Sequence, residues 1–256
     1  MEFIQSIFLG ILQGFTEFLP ISSSGHLFLA EEFLGLLPDL HFEIYLHVAS
    51  LIAVLVVFRH RIWSILRGVG ATCLICAGDK GEGILGWKLL VASLATVPVA
   101  LLLNLQFEFF RTVEMIGITL IITGIIIFFS EKFRPEKIRN FSWWIVILLG
   151  LVQGISVLPG ISRAGITISF LILLGINRKN SAEISFLLAI PTIIGALLFS
   201  LGEGGFWFDF TQFVGCLASL VAAILAIKWM MKLVSKNWIW FAPYCVLAGI
   251  VVLVFA

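Results

Sequence analysis

Long apolar segments dominate the hydrophobic pattern of this chain. Six of them are long enough to cross the ~30 Å hydrocarbon layer of a membrane as helices. Their approximate bounds are 42–58, 84–104, 113–130, 181–201, 211–232 and 238–256. The sequence therefore predicts an all-α integral membrane protein with six transmembrane helices.

Two further apolar segments, 2–37 and 141–176, are each interrupted by a cluster of proline, glycine and serine. Their second arms, roughly 25–37 and 164–176, are too short to span, because about 13 residues of helix reach only ~20 Å. The pattern therefore predicts two re-entrant helical hairpins. Irregular backbone at membrane depth is tolerated only where protein or a wet cavity covers it, so we expect the hairpin tips to form a site.

The two interrupted segments resemble each other at one constant offset in the numbering. Leu9–Gly14 aligns with Leu149–Gly154, and Ile21–Gly25 aligns with Ile161–Gly165 around a one-residue slip. Two later matches keep the offset: Glu43–Ile44 with Glu183–Ile184, and Ile84–Lys88 with Ile224–Lys228. Four matches in order indicate an internal duplication within one membrane domain, with copies at about 1–135 and 136–256.

Each copy then contains one hairpin followed by three spans. Three crossings are an odd number, so the second copy is expected upside down relative to the first, as in the inverted-topology repeats of many membrane proteins. Hairpins that enter from opposite faces would bring their tips together at mid-membrane.

Positive charge indicates the orientation. Of the 16 lysines and arginines, 14 fall on or near one side of the predicted spans, whereas only Arg111 falls on the other side and Arg163 on neither. Arg59, Arg61 and Arg67 are assigned to a loop on the rich side. The positive-inside rule makes that side cytoplasmic and places both termini outside. A net charge of +1 gives no reason to expect a nucleic-acid partner.

The hairpin tips carry groups suited to an anion. Each second arm begins directly after its tip, at Ser22–Gly25 and at Gly160–Ser162. A helix N-terminus offers unpaired N–H groups and partial positive charge. Arg163 adds a planar fork of donors that matches phosphate oxygens.

Glu17 needs a partner or a task, because a carboxylate at membrane depth costs at least ~2.5 kcal/mol. It could pair with Arg163, hold a divalent cation together with Gln13, or act as an acid or base. His26 could take a proton from a serine or give one to a leaving group. Hydroxyl, imidazole, carboxylate and guanidinium together suit phosphoryl transfer.

Plainer structural roles stay open for the same residues. Ser22 and Ser24 are also typical helix caps, His26 could be a satisfied structural histidine, and Glu17 with Arg163 could be a purely structural pair. His47 and Glu43, on one face of the next span, could support the site, although a buried hydrogen bond is the favoured interpretation. Four further polar residues are interpreted as structural: Asn177, Asn180, Glu183 and Thr192.

Two motifs carry a family resemblance. Gln13 to His26 matches [Glu/Gln]-x-x-x-Glu followed by Phe-Leu-Pro-x-Ser-Ser-x-Gly-His, and Pro159 to Thr167 matches Pro-Gly-x-Ser-Arg-x-Gly-x-Thr. Together they closely resemble the undecaprenyl-diphosphate phosphatase family, the bacitracin-resistance family. The resemblance implies removal of the terminal phosphate of the lipid diphosphate in the bacterial plasma (inner) membrane, and a fold of re-entrant hairpins and inverted repeats.

The resemblance also implies roles by position. Glu17 with Gln13 matches the motif associated with a divalent cation, Mg²⁺ or Ca²⁺; Ser23 matches the proposed nucleophile, His26 the essential histidine and Arg163 the diphosphate-binding arginine. The remaining positions expected to contact substrate are Ser22, Ser24, Gly160, Ser162, Gly165 and Thr167.

The chain departs from the family pattern at Ala164, where members usually have a second serine. One hydroxyl expected near the phosphates is therefore missing, which we expect to weaken a contact without removing the chemistry. Gln13 stays within the motif, but it supplies one charge fewer for a metal than glutamate would.

The working hypothesis is a membrane phosphatase whose lipid substrate enters from the outer leaflet. Ser23, or a water activated by His26, would attack the terminal phosphorus, and direct attack by His26 is a variant. A flippase or transporter with alternating access is the main rival, since inverted repeats with broken helices also describe carriers. A non-catalytic lipid-binding protein is a third possibility, and the sequence leaves a homodimer open.

Overall fold

The computed structural model describes residues 2–37, 39–74, 80–105, 107–135, 141–201 and 209–256. Within these ranges the chain is helical and contains no β-strand. The helices are α1 Phe3–Phe18, α2 Ser23–Phe33, α3 Leu40–Val57, α4 Arg59–Leu74, α5 Lys80–Asn104, α6 Phe107–Phe110, α7 Val113–Lys132, α8 Trp143–Gly154, α9 Arg163–Leu173, α10 Arg178–Leu201, α11 Phe210–Asn237 and α12 Phe241–Phe255. Short 3₁₀ turns follow α8, at Ile155–Val157, and precede α12, at Trp238–Trp240.

Six of the described helices are long and apolar enough to cross a membrane, which confirms the predicted number of spans. They are Leu40–Val57, Gly81–Asn104, Val113–Lys132, Arg178–Phe199, Phe210–Lys236 and Trp238–Phe255. The interrupted segments form two pairs of shorter helices, α1 with α2 and α8 with α9. At 11 residues each, α2 and α9 reach only ~17 Å, so the hairpin prediction fits the observed helix lengths.

One expectation about a connecting segment was wrong. Arg59, Arg61 and Arg67 do not lie in a loop, because residues 59–74 form the helix α4. Its side chains mix charge with exposed apolar surface: Arg67 lies over the Trp63 ring at 5.0 Å, and Leu66 is exposed. Such a composition is typical of a helix that lies in the membrane interface, and it escapes a search for continuous apolar runs.

The first arms of the two hairpins pack closely against long helices. α1 lies along α11 and α8 lies along α5. A methyl group on Gly10 would come within 2.1 Å of the Gly215 oxygen, and one on Gly150 within 2.1 Å of the Ala92 oxygen. These two glycines are matched positions of the predicted internal duplication, and both make close backbone contacts with a long helix.

The packed pair of α7 and α12 holds both tips. On α7, Thr119 donates a hydrogen bond to the Pro159 oxygen at 2.7 Å and Thr123 donates to the Gly160 oxygen at 3.1 Å. On α12, the Cys245 thiol donates to the Pro20 oxygen at 3.4 Å. Because Thr119 and Thr123 lie near the middle of the 20-residue helix α7, the second tip lies beside the middle of this candidate span.

The two tips touch each other. A methyl group on Gly25 would lie 3.0 Å from the Gly160 α-carbon. The main apolar core packs around the tips and joins α1, α9, α10 and α11 through Phe18, Ile168, Phe186 and Met230. Buried apolar side chains therefore surround the point where the polar tips meet.

Candidate active site

The first tip is built on an unusual backbone conformation. Ser22 has φ of 69°, and it is the one non-glycine residue with positive φ in the described part of the chain. Such a conformation costs about 1–3 kcal/mol and persists only where the surroundings enforce it. Here the Ser22 hydroxyl accepts a hydrogen bond from the Gly25 N–H at 3.2 Å, so that the residue caps α2, which is the structural role left open for it.

The second tip requires a glycine. Gly160 has φ of 84°, and a methyl group there would lie 1.9 Å from the Thr119 hydroxyl oxygen. The Ser162 hydroxyl then caps α9 by accepting from the Gly165 N–H at 3.0 Å. The Ser162 N–H donates to the Thr123 hydroxyl at 3.2 Å, so these polar groups of the tip are satisfied within the protein.

Glu17 links the two hairpins. Its Oε1 accepts a hydrogen bond from Arg163 Nη2 at 2.6 Å, which makes an ion pair between α1 and α9. Its Oε2 accepts from the Ser23 hydroxyl at 2.5 Å and from Gln13 Nε2 at 3.1 Å. The residues that the two motifs match to the nucleophile, the acidic pair and the arginine therefore form one cluster.

The cluster has unused hydrogen-bonding capacity. Arg163 Nη1 and Gln13 Oε1 are buried and have no hydrogen-bond partner among the described residues. Native proteins rarely leave buried polar atoms unpaired. An anion could accept a hydrogen bond from Arg163 Nη1, and a cation or a hydrogen-bond donor could bind Gln13 Oε1.

His47 joins the cluster from α3. Its Nε2 lies 3.5 Å from Glu17 Oε2, and its Nδ1 donates to the backbone carbonyl oxygen of Glu43 at 2.8 Å. The Glu43 carboxylate in turn pairs with Arg111 at 2.6 Å, and Arg111 also lies 3.8 Å from Glu31. The expected hydrogen bond of His47 is present but only partly buried, and a line of polar groups that includes the Glu43 backbone leads from Glu17 towards the side that bears Arg111.

His26 does not contact Ser23 in this structure. Its Nδ1 lies 2.8 Å from the Ser22 carbonyl oxygen, and its Nε2 lies 2.8 Å from the Tyr244 hydroxyl on α12. The Ser23 hydroxyl donates its hydrogen bond to the carboxylate of Glu17 rather than to the imidazole. Sequence reasoning missed Tyr244, and its only signal was a tyrosine one turn inside an apolar span.

Two positions near Arg163 point elsewhere. The Thr167 hydroxyl is buried, donates to the Arg163 carbonyl oxygen at 2.7 Å and pairs with the Ser185 hydroxyl at 2.7 Å. The Ala164 methyl lies in the apolar core with Phe18. A serine at position 164 would therefore have its hydroxyl on the side of α9 that faces the core, so the absence of this hydroxyl leaves the Glu17 cluster unchanged.

At the first tip, the Ser24 hydroxyl lies 3.4 Å from the Ser22 hydroxyl.

Donors for a metal ion are few. Among the described residues, no group of three or more histidine, cysteine, aspartate and glutamate side chains is arranged to hold a metal. Glu17 provides the carboxylate of the cluster. Both of its oxygens already accept hydrogen bonds, so a metal ion would have to share them with the present donors.

Comparisons with known proteins cover almost the whole chain. Residues 6–251 match the family model described as "Bacitracin resistance protein BacA". A protein named undecaprenyl-diphosphatase from Methanobrevibacter smithii is 37% identical, over 98% of this chain and 97% of the relative. Relatives of the same name from Christiangramia forsetii and Desulforapulum autotrophicum are 36% and 34% identical, over 100% and 98% of this chain and 99% and 97% of the relatives.

Proposed function

Because this chain belongs to the BacA family of bacitracin resistance proteins, we propose that the site at its hairpin tips performs the reaction of an undecaprenyl-diphosphatase. The protein hydrolyses undecaprenyl diphosphate to undecaprenyl phosphate and inorganic phosphate. This reaction returns the lipid carrier to peptidoglycan synthesis and gives bacitracin resistance. The observation that carries the assignment to the tips is the contact of Ser23 and Arg163 with one carboxylate, Glu17.

Arg163 would bind the diphosphate. Its Nη2 is held by Glu17, whereas its buried Nη1 has no partner among the described residues and is free to donate to a phosphate oxygen. A guanidinium neutralises phosphate charge through directed hydrogen bonds. Once it shares its charge with the substrate, Arg163 stabilises the Glu17 carboxylate less, so Glu17 becomes a stronger base when substrate is bound.

Ser23 would attack the terminal phosphorus. As the bond from the Ser23 oxygen to phosphorus forms, the hydroxyl proton passes to Glu17 Oε2, 2.5 Å away. The bond from phosphorus to the bridging oxygen breaks, and its electron pair leaves with undecaprenyl phosphate. This leaving oxygen becomes part of a phosphate, so charge neutralisation assists its departure more than protonation does.

A water would then complete the reaction. It attacks the phosphoserine, the bond between phosphorus and the Ser23 oxygen breaks, and Glu17 returns the proton to that oxygen as inorganic phosphate leaves. His26, one helical turn from Ser23, would orient this water or a phosphate oxygen. Direct attack by His26 is the alternative, because its Nε2 is the nitrogen without a hydrogen of its own when the imidazole is neutral.

A divalent cation, Mg²⁺ or Ca²⁺, fits the cluster when it is shared with the substrate. Gln13 Oε1 is a buried oxygen without a partner among the described residues, and it belongs to the side chain that already contacts Glu17. Mg²⁺ commonly binds one or two carboxylates together with substrate phosphates. When bound, the cation would offset charge on the phosphoryl oxygens.

The substrate would reach the tips from the outer side. The charge pattern supports outward-facing termini and a cytoplasmic location for the basic helix α4. The polar line from Glu17 through His47 and Glu43 leads to Arg111, on the side opposite to α4. The relatives are named as phosphatases, and a serine hydroxyl 2.5 Å from a carboxylate suits hydrolysis rather than carriage.

Release of inorganic phosphate from undecaprenyl diphosphate by the purified protein in detergent tests the site. We expect Arg163→Ala, Ser23→Ala and Glu17→Gln each to lower the rate by ~100-fold or more, and His26→Ala by a similar factor. Two control variants should retain the wild-type rate. Ser156→Ala removes a hydroxyl that donates to a backbone oxygen of the second hairpin, and Arg134→Ala removes an exposed charge.

Wild-type rates from both Arg163→Ala and His26→Ala would overturn the site assignment. Trapping of the phosphorylated protein identifies the nucleophile, because phosphoserine survives acid whereas phosphohistidine does not. Phosphate on Ser23 supports the proposed attack, and phosphate on His26 replaces it with the alternative. Lipid movement in sealed vesicles without phosphate release would favour a carrier.

A further inference from the structure

Tyr244 is the one partner of His26 that comes from the last helix. We propose that Tyr244 is a positioning residue for His26: together with the Ser22 carbonyl oxygen, its hydroxyl holds the imidazole so that Nδ1 carries the proton and Nε2 is the nitrogen that acts on the phosphate. This inference rests on the function proposed above.

The hydrogen bonds of His26 fix which nitrogen is protonated. A carbonyl oxygen only accepts, so Nδ1, 2.8 Å from the Ser22 oxygen, must carry the hydrogen. In the neutral imidazole Nε2 is then an acceptor, and the Tyr244 hydroxyl at 2.8 Å donates to it. A phenol can also accept, so the same contact would stabilise the imidazolium if Nε2 gained a proton.

Tyr244 is 44% exposed, and two neighbouring contacts set the direction of its side chain. The phenol and imidazole rings are nearly parallel, with centroids 5.9 Å apart and planes inclined by 11°. The next residue, Cys245, is fully buried and donates to the Pro20 oxygen at the first tip. The register of α12 against the tip is therefore set one residue away from Tyr244.

The position of the hydroxyl has a consequence for catalysis. Nε2 has one lone pair in the ring plane, and Tyr244 occupies it. A phosphate oxygen or a water that uses Nε2 must take the place of the phenol oxygen. Tyr244 thus keeps the ring aligned until substrate arrives and is then displaced from Nε2, so it acts through His26 and not on the phosphate.

The change Tyr244→Phe removes the hydroxyl and keeps the ring stacked on His26. We expect kcat/KM to fall by about tenfold, because the substrate then meets an imidazole that is no longer held in place, whereas kcat changes less because the hydroxyl has already left Nε2 in the complex. The tautomer is measured by ¹⁵N NMR of the protein labelled at its four histidines, with His26→Gln to assign the signal. We expect the Nδ1–H tautomer in the wild type and a measurable share of the Nε2–H tautomer in Tyr244→Phe, because Ser22 alone then holds the ring.

Tyr45→Phe is the matched control, because Tyr45 is the other of the two tyrosines and lies on α3. It should leave the His26 signal unchanged. An Nε2–H tautomer in the wild type overturns the proposal without any variant. It is equally overturned if Tyr244→Phe keeps the wild-type kcat/KM, or if kcat/KM falls while the tautomer populations do not change. Absence of phosphate release by the wild type would instead count against the proposed function, because the tautomer is measured independently of turnover.

Discussion

Glu17 accepts hydrogen bonds from three side chains of different chemical character. Arg163 stabilises its charge, Ser23 offers it a proton, and Gln13 orients its Oε2. Removing Arg163 would leave a buried carboxylate unpaired, which is more costly than the loss of the ion pair itself. The same carboxylate thus serves stability in the resting protein and chemistry in the reacting one, which explains a charge at this depth.

The glutamine in the acidic motif should limit cation binding. In Gln13→Glu a second carboxylate would face Glu17, and the repulsion would be relieved by a bound divalent cation. We expect the Mg²⁺ concentration for half-maximal phosphate release to fall by about tenfold, because ligand charge sets the affinity of such sites. Binding of Mn²⁺ in the presence of a non-hydrolysable diphosphate, followed by electron paramagnetic resonance, gives a readout apart from turnover.

Gln153→Glu is the matched control for this change. Gln153 is matched to Gln13 in the predicted duplication, but its Nε2 donates to Thr96 and Thr192 rather than to Glu17. It should not alter the Mg²⁺ requirement. An unchanged requirement in Gln13→Glu as well would show that position 13 does not contact the cation.

At the scale of elements, helix ends shape the site. α2 and α9 both begin at the tips with a serine cap, and each directs its N-terminus towards the same contact between Gly25 and Gly160. Two helix N-termini favour a negative charge where they converge. The α7–α12 pair sets their separation, so the geometry depends on contacts outside the hairpins.

Gly160→Ala should separate the two tips. The added methyl would meet the Thr119 oxygen at 1.9 Å in a backbone conformation that disfavours alanine. We expect a loss of ~2–3 kcal/mol of stability and a large loss of phosphate release, measured by thermal unfolding and by turnover in detergent. Gly195→Ala is the control, because a methyl on Gly195 of α10 meets nothing within 4 Å. Equal behaviour of the two variants would contradict the role of the tip contact.

At the scale of the whole molecule, charge is distributed unequally between the two sides. On the side of α4, Arg61 pairs with Glu82 and Glu183, which joins α4, α5 and α10. On the opposite side, Arg111 pairs with Glu43 at the start of α3. Glu43 and Glu183 are matched positions of the two copies, so equivalent glutamates are paired on opposite sides of the protein.

Impermeant thiol labelling tests the proposed orientation. In a variant lacking Cys73, Cys76, Cys216 and Cys245, a cysteine placed at Glu2 should react in intact cells. A cysteine placed at Arg134 should react only after the membrane is permeabilised. Both sites are exposed in the structure, so reactivity reports the side of the membrane. Reaction at Arg134→Cys in intact cells would reverse the orientation and move the opening of the site to the cytoplasmic side.

The spans could be predicted because their cause is local, and the Glu17–Arg163 contact because a buried charge needs a partner of opposite sign. An apolar run of about 20 residues has few alternatives to a membrane helix, and buried charges such as Glu17 and Arg163 must find each other. The helix α4 was missed since its charges hide an amphipathic pattern. The Tyr244 contact was missed for another reason: it depends on the register of α12 against the first tip, and no local pattern records a contact across 218 residues.

The Glu17–Arg163 pair also affects how the protein is made. The two residues are 146 positions apart, so at ~5–20 residues per second a ribosome needs about 7–30 s to supply the arginine after the glutamate. During that interval the first hairpin has a buried charge without its partner, and its tip lacks the α9 contact. The Cys245 contact to the first tip needs a further 82 residues after Arg163, so the first segment to be synthesised is among the last to reach its final surroundings.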